Sequence, residues 1–135
     1  MYGSREGAYR DVEVLSASPE RVVLLLYEKL LVSLRRGAHC IRARDIRGKH
    51  ESLTRAGDIA CELLSSLDYE RGGDLAHRLA SLYTFWGKEI SEGGRALDPV
   101  RIDRVQGMVA ELHESWKVAV EAVERGEVEV PGGVA

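Results

Sequence analysis

Cysteine is scarce in this chain. Cys40 and Cys61 are the only two in 135 residues, too few for a disulfide framework, so a reducing compartment is expected. Proline is nearly as rare, with three residues, and the single phenylalanine leaves aromatics at 6%. Long apolar runs are missing too. The longest, Val22 to Tyr27, is six residues, against the ~18 needed to cross a bilayer. The first residues, Met1-Tyr2-Gly3-Ser4-Arg5-Glu6, lack the apolar core of an export signal. The expectation is a cytoplasmic protein with no membrane insertion. No excess of positive charge exists either: 19 basic residues face 22 acidic ones, net −3, which disfavours a nucleic-acid-binding surface. Cys-x-x-Cys and His-x-x-x-His pairs are absent, so no metal site is expected. Gly72-Gly73 precedes a helix but lacks the strand and lysine of a phosphate loop. No cofactor is expected.

What remains is a helical pattern in a chain that is 44% hydrophobic and 30% charged, a balance suited to one globular domain. Ser18-Pro19-Glu20 offers a capping hydroxyl, a proline for the first helical position and an acid for the positive helix end. Asp98-Pro99 repeats the device. Breakers divide the rest, predicting helices over 19–43, 46–67, 74–92 and 99–124. Gly72-Gly73 is expected to open the turn before the third helix, and Gly93-Gly94 to end it. Seam positions, most of them apolar, recur three and four apart within each segment. The second has Ile46, His50, Leu53, Gly57, Ala60, Leu64 and Leu67, and the fourth has Ile102, Val105, Val109, Leu112, Trp116, Ala119 and Val123. Strand signals are confined to Glu127–Val130. The fold class is therefore all-α: an antiparallel up-down four-helix bundle over 18–125, with an N-terminal arm over 1–17 and a flexible C-terminal tail over 126–135.

The first two helices carry more apolar residues than a bundle seam requires. On the first, Val23, Leu26, Tyr27, Leu30 and Leu34 make one stripe. Leu24, Leu25, Leu31 and Val32 fall on other faces. The second has an extra stripe of Ala56, Ile59 and Leu63. Two readings stand: these residues lie under neighbouring helices, or they form a groove for an amphipathic helix of a partner. The arm, with Tyr9, Val12, Val14 and Leu15, either covers that face removably or packs permanently.

Two charged features complete the inventory. Arg35, Arg36, Arg42, Arg44, Arg47, Lys49 and Arg55 cluster where the first helix turns into the second, opposed only by Asp45 and Glu51. A solvated end that compensates the helix dipole accounts for them, and no aromatics interleave to stack on bases. Ala76-His77-Arg78-Leu79 is similar to the start of the histidine phosphotransfer signature, another bundle. Ala80 and Ser81 stand where that signature has the lysine and glycine that accommodate the phosphoryl group. A signalling bundle using His77 is thus the alternative function.

Several stretches in order resemble one family. They are Val14-Leu15-Ser16-Ala17-Ser18-Pro19-Glu20-Arg21-Val22-Val23-Leu24-Leu25-Leu26-Tyr27-Glu28, then Arg55-Ala56-Gly57-Asp58-Ile59, then Glu62-Leu63-Leu64-Ser65-Ser66-Leu67-Asp68. Gly72-Gly73-Asp74-Leu75-Ala76, Leu82-Tyr83 and Glu111-Leu112-His113-Glu114-Ser115-Trp116 follow. Together they resemble the flagellar secretion chaperones of the FliS type. The departures are Gly57 for a usual glutamine, Thr84-Phe85-Trp86 for Asp-Tyr-Met and Gly93-Gly94 for Ala-Asn. The resemblance implies a cytosolic four-helix bundle that is not an enzyme. It implies binding of the C-terminal helical region of flagellin, which prevents premature polymerisation, and delivery to the flagellar export gate, a second partner. Combined with the apolar surplus, it puts the flagellin-binding surface at Tyr9, Val14, Leu15, Leu24, Leu25, Tyr27, Leu31, Ile59 and Leu63.

Overall fold

The computed structural model describes residues 18–127, and within them four helices succeed one another. Helix α1 is Pro19–Arg42, α2 is Ile46–Ser65, α3 is Tyr69–Arg95 and α4 is Pro99–Glu124. Each start is capped by a side-chain oxygen that accepts from a backbone N–H otherwise left without a partner. Ser18 accepts from Arg21 N at 3.2 Å and Asp45 from Gly48 N at 2.9 Å. Asp68 accepts from Glu70 N and Arg71 N at 3.1 Å, and Asp98 from Arg101 N at 3.2 Å. Both cap-proline starts are where the sequence put them.

The two glycine pairs meet expectation differently. The Asp68 cap starts one helical turn at Tyr69, and Gly73 then interrupts it, so the long regular part of α3 begins at Asp74 as the sequence predicts. Gly73 bends it there, at φ +54°, ψ −130°, a conformation that only glycine adopts cheaply. Gly93 and Gly94 also lie within α3, buried, instead of ending it. A Cβ on Gly93 would come within 2.7 Å of Ile102 Cδ1 on α4. This glycine serves close helix approach and not termination. The α1–α2 and α3–α4 turns are closed by the same three backbone bonds, which place Arg44 (φ +58°) and Leu97 (φ +53°) in the left-handed region.

Helix α1 packs on α2 and α4, and α3 packs on the same two, so the helices form a ring in chain order. Ion pairs Arg21–Glu124 and Arg42–Asp103, both 2.6 Å, join α1 to α4 at opposite ends and show the two to be antiparallel. The Trp116 indole donates to Glu20 O at 3.0 Å, holding α4 against the first turn of α1. Across the ring, Tyr27 and Tyr83 meet hydroxyl to hydroxyl, and both rings lean on Trp86. Trp86, Tyr27, Leu24, Leu30, Leu34, Leu63, Ile102, Val105, Val109 and Val120 are the largest fully buried side chains.

That core corrects the division of stripes. Because α1 is flanked on two sides, it buries a wide arc, and Leu24 and Leu31 belong to the core rather than to a spare face. On α2 the roles are exchanged. Ala56, Ile59 and Leu63, the extra stripe of the sequence pattern, are buried, with Ser52, Leu53 and Ala60. Ile46, at the head of the supposed main seam, is 52% exposed. In α3, Ala76 is buried and Leu75 is exposed.

Candidate functional site

A groove of about 750 Å³ runs along the α1–α2 face. Among the described residues it is lined from α1 by Val22, Leu25, Leu26, Glu28, Lys29, Val32, Ser33 and Arg36, and from α2 by Arg55, Ile59 and Glu62. The α1 contribution recurs at steps of three and four from Val22 to Arg36, which is one face of a helix. Its floor is apolar. Val32 is 51% exposed, far more than a bundle interior allows, and Leu25 and Leu26 are half-buried. Charged side chains stand along the rim: Glu28, Lys29, Arg36, Arg55 and Glu62. A smaller recess of about 350 Å³ lies between α2 and α3, lined by His50, Thr54, Gly57, Gly87 and Ser91 among others.

Of the nine residues expected to bind a partner, two line the groove, Leu25 and Ile59. Ile59 reaches it from a position that is 6% exposed. Leu24, Tyr27, Leu31 and Leu63 are buried in the core behind it. Tyr9, Val14 and Leu15 lie outside the described residues. Val22, Leu26, Val32 and the rim charges are groove residues that the expectation omitted. The signal for them was present. Val22, Leu25, Leu26, Lys29, Val32, Ser33 and Arg36 trace a stripe that starts one residue before the seam at Val23.

Behind the groove the core holds polar atoms under unusual conditions. Burial pushes the Tyr27 hydroxyl far above its ordinary range, and the neighbouring Tyr83 adds to the rise. Burial raises the Tyr83 hydroxyl as well, opposed by its bond with Tyr27. The Trp86 indole N–H is the one buried side-chain polar atom without a partner among the described residues. At the α1–α2 turn burial raises the Cys40 thiol, helped by the Asp45 carboxylate. None of these groups reaches the groove, and among the described residues no three metal-ligating side chains gather. His77 lies on α3, exposed, its ring 4.8 Å from that of Tyr69.

An apolar channel along one face of a helical ring, rimmed by charge, is the geometry of helix-in-groove recognition. Comparisons with known proteins give the family. The family described as "Flagellar protein FliS" matches residues 2–123, and the chain belongs to that family. It is 34% identical to the flagellar secretion chaperone FliS of Vibrio cholerae over 120 residues, covering 86% of this chain and 88% of that protein. It is 33% identical to the Campylobacter jejuni chaperone of the same name, covering 82% and 86%. With the Bacillus subtilis one it shares 28%, covering 95% and 94%. A crystal structure of a bacterial flagellar chaperone has the same fold, with a TM-score of 0.72 at 18% identity, covering 87% of this chain and 98% of that one. The family is one of chaperones and not of enzymes. The phosphotransfer alternative at His77 finds no support in this membership. Among the described residues no helix is long and apolar enough to cross a membrane.

Proposed function

We propose that this chain is a cytosolic export chaperone that holds the C-terminal helical region of flagellin, prevents its premature polymerisation and presents it to the flagellar export gate. Family membership supports a partner within the flagellar export system. The observation that carries the finer reading is the α1–α2 groove, whose apolar stripe from Val22 through Leu25, Leu26 and Val32 to Ile59 matches the face of an amphipathic helix. A client that orders only on binding spends part of its contact energy on ordering, so it needs a long surface. Leu24, Tyr27, Leu31 and Leu63 support the groove from behind, while Leu25 and Ile59 touch the client.

The test is calorimetric titration with the C-terminal helices of the flagellin from the same organism. Leu25→Asp with Val32→Asp puts two carboxylates on the groove floor at positions that are not core, so the bundle keeps its circular dichroism spectrum. Binding should weaken at least tenfold, because each lost apolar contact contributes about 1–2 kcal/mol. Unchanged affinity in the folded double variant refutes the groove as the client site.

A further inference from the structure

The two ends of the α1–α2 groove differ in charge. Arg36 on α1 and Arg55 on α2 stand level with each other, since the neighbouring pair Gly37 and Leu53 is in contact across the two helices. Neither arginine has an ion-pair partner among the described residues. Glu62 lies seven residues along α2 from Arg55, and Glu28 eight residues back along α1 from Arg36. At 1.5 Å per residue these are rises of about 10 and 12 Å. Lys29 beside them offsets one of the two carboxylates, and Glu28 also faces His113 Nε2 at 3.3 Å. From there to Val22 the α1 side of the floor is apolar. One end of the groove is therefore doubly positive, and its middle is slightly negative.

We infer that the groove reads direction: a docked amphipathic helix lies with its C-terminal end against Arg36 and Arg55, parallel to α1 and antiparallel to α2. The last four carbonyls of any helix lack intrahelical partners and together carry about half a negative charge. Two guanidinium groups without ion pairs donate to such carbonyls. Seated the other way, the helix would press its free N–H groups and half a positive charge against the same two cations. The α1 lining from Val22 to Arg36 rises about 21 Å, which fits a seated segment of about 14 residues. This inference rests on the groove being the client seat.

The experiment uses the isotope-labelled C-terminal fragment of flagellin and two spin-labelled forms of the full chain. In a Cys61→Ser background, one carries a nitroxide at Ser65→Cys, beyond Glu62, and the other at Glu51→Cys, beyond Arg55. Both positions are exposed. The first label should broaden the N-terminal resonances of the seated client helix, and the second its C-terminal ones. Arg36→Ser with Arg55→Ser should keep the fold, weaken binding about tenfold at low salt and blur the asymmetry. A complex with the reverse pattern, or with equal broadening from both labels, overturns the direction and leaves the client reading intact. Absence of any complex with the unlabelled wild-type chain overturns the client reading, and the direction with it.

Discussion

Replacing Tyr27 by phenylalanine removes one hydroxyl from a pair that meets in the middle of the bundle. Tyr27 is 0% exposed and Tyr83 3% exposed. The two hydroxyls are each other's partners across the ring, and neither has another among the described residues. Tyr27→Phe therefore strands the Tyr83 hydroxyl in apolar surroundings, where an unsatisfied polar group costs about 1–3 kcal/mol. Tyr83→Phe strands the Tyr27 hydroxyl at a similar cost. The double variant strands nothing. It leaves two phenylalanines against Trp86, whose ring centroid is 6.4 Å from that of residue 27 and 5.4 Å from that of residue 83. Replacing both partners of a buried bond by apolar groups of the same shape is close to neutral. The double variant should thus be more stable than either single one. The coupling, double minus the sum of singles, should be about −2 kcal/mol or stronger. Urea unfolding at neutral pH, with matched m-values across the four proteins, measures this. Equal and additive losses would show that the hydroxyls act independently and would refute the pairing.

The sequence made the number of helices, their order and two of their starts readable, because those depend on local chemistry. A serine or aspartate before a proline states its role within four residues. Gly93-Gly94 departs from expectation for the opposite reason. Whether Gly93 ends a helix or admits Ile102 depends on a neighbour nine residues away on another helix. Gly72-Gly73 is as local a signal as the caps, and Gly73 does interrupt the helix just before Asp74; the single turn that Asp68 caps ahead of it is the part the pattern lacks. Apolar periodicity showed that α1 had too many leucines, and it could not say which of them faced inward. That depends on α1 having two neighbours, α2 and α4, which turns Leu24 and Leu31 into core and leaves Val32 open. The groove was legible as a surplus. Half of its rim was legible too, since Lys29 and Arg36 lie on the same α1 stripe; Arg55 and Glu62 join that rim only once two antiparallel helices are set in register.

Three further outcomes are expected. Burial raises both tyrosine hydroxyls, whereas the unfolded chain ionises them near 10. Stability should therefore be insensitive to them below about pH 9 and fall above pH 10, where the unfolded state releases protons that the folded state keeps. The slope is up to about 1.4 kcal/mol per pH unit per tyrosine, and this tyrosine contribution should be lost in the doubly substituted Tyr27→Phe, Tyr83→Phe protein. Leu97→Gly should stabilise the bundle by about 1 kcal/mol in urea unfolding, since Leu97 holds φ +53° at 47% exposure and glycine adopts that conformation without strain. Deleting residues 2–15 tests the arm. Tyr9, Val12, Val14 and Leu15 are apolar side chains on a segment too short to form a stable helix alone, so they need a surface, and a client helix needs one too. If both use the α1–α2 groove, the client must displace the arm and forfeits whatever the arm gained by docking, a factor of about ten in affinity for each 1.4 kcal/mol. Truncation should then tighten binding of the flagellin fragment in calorimetry. Weaker binding would mean that the arm clasps the client rather than competing with it, and equal affinities would remove the arm from the site.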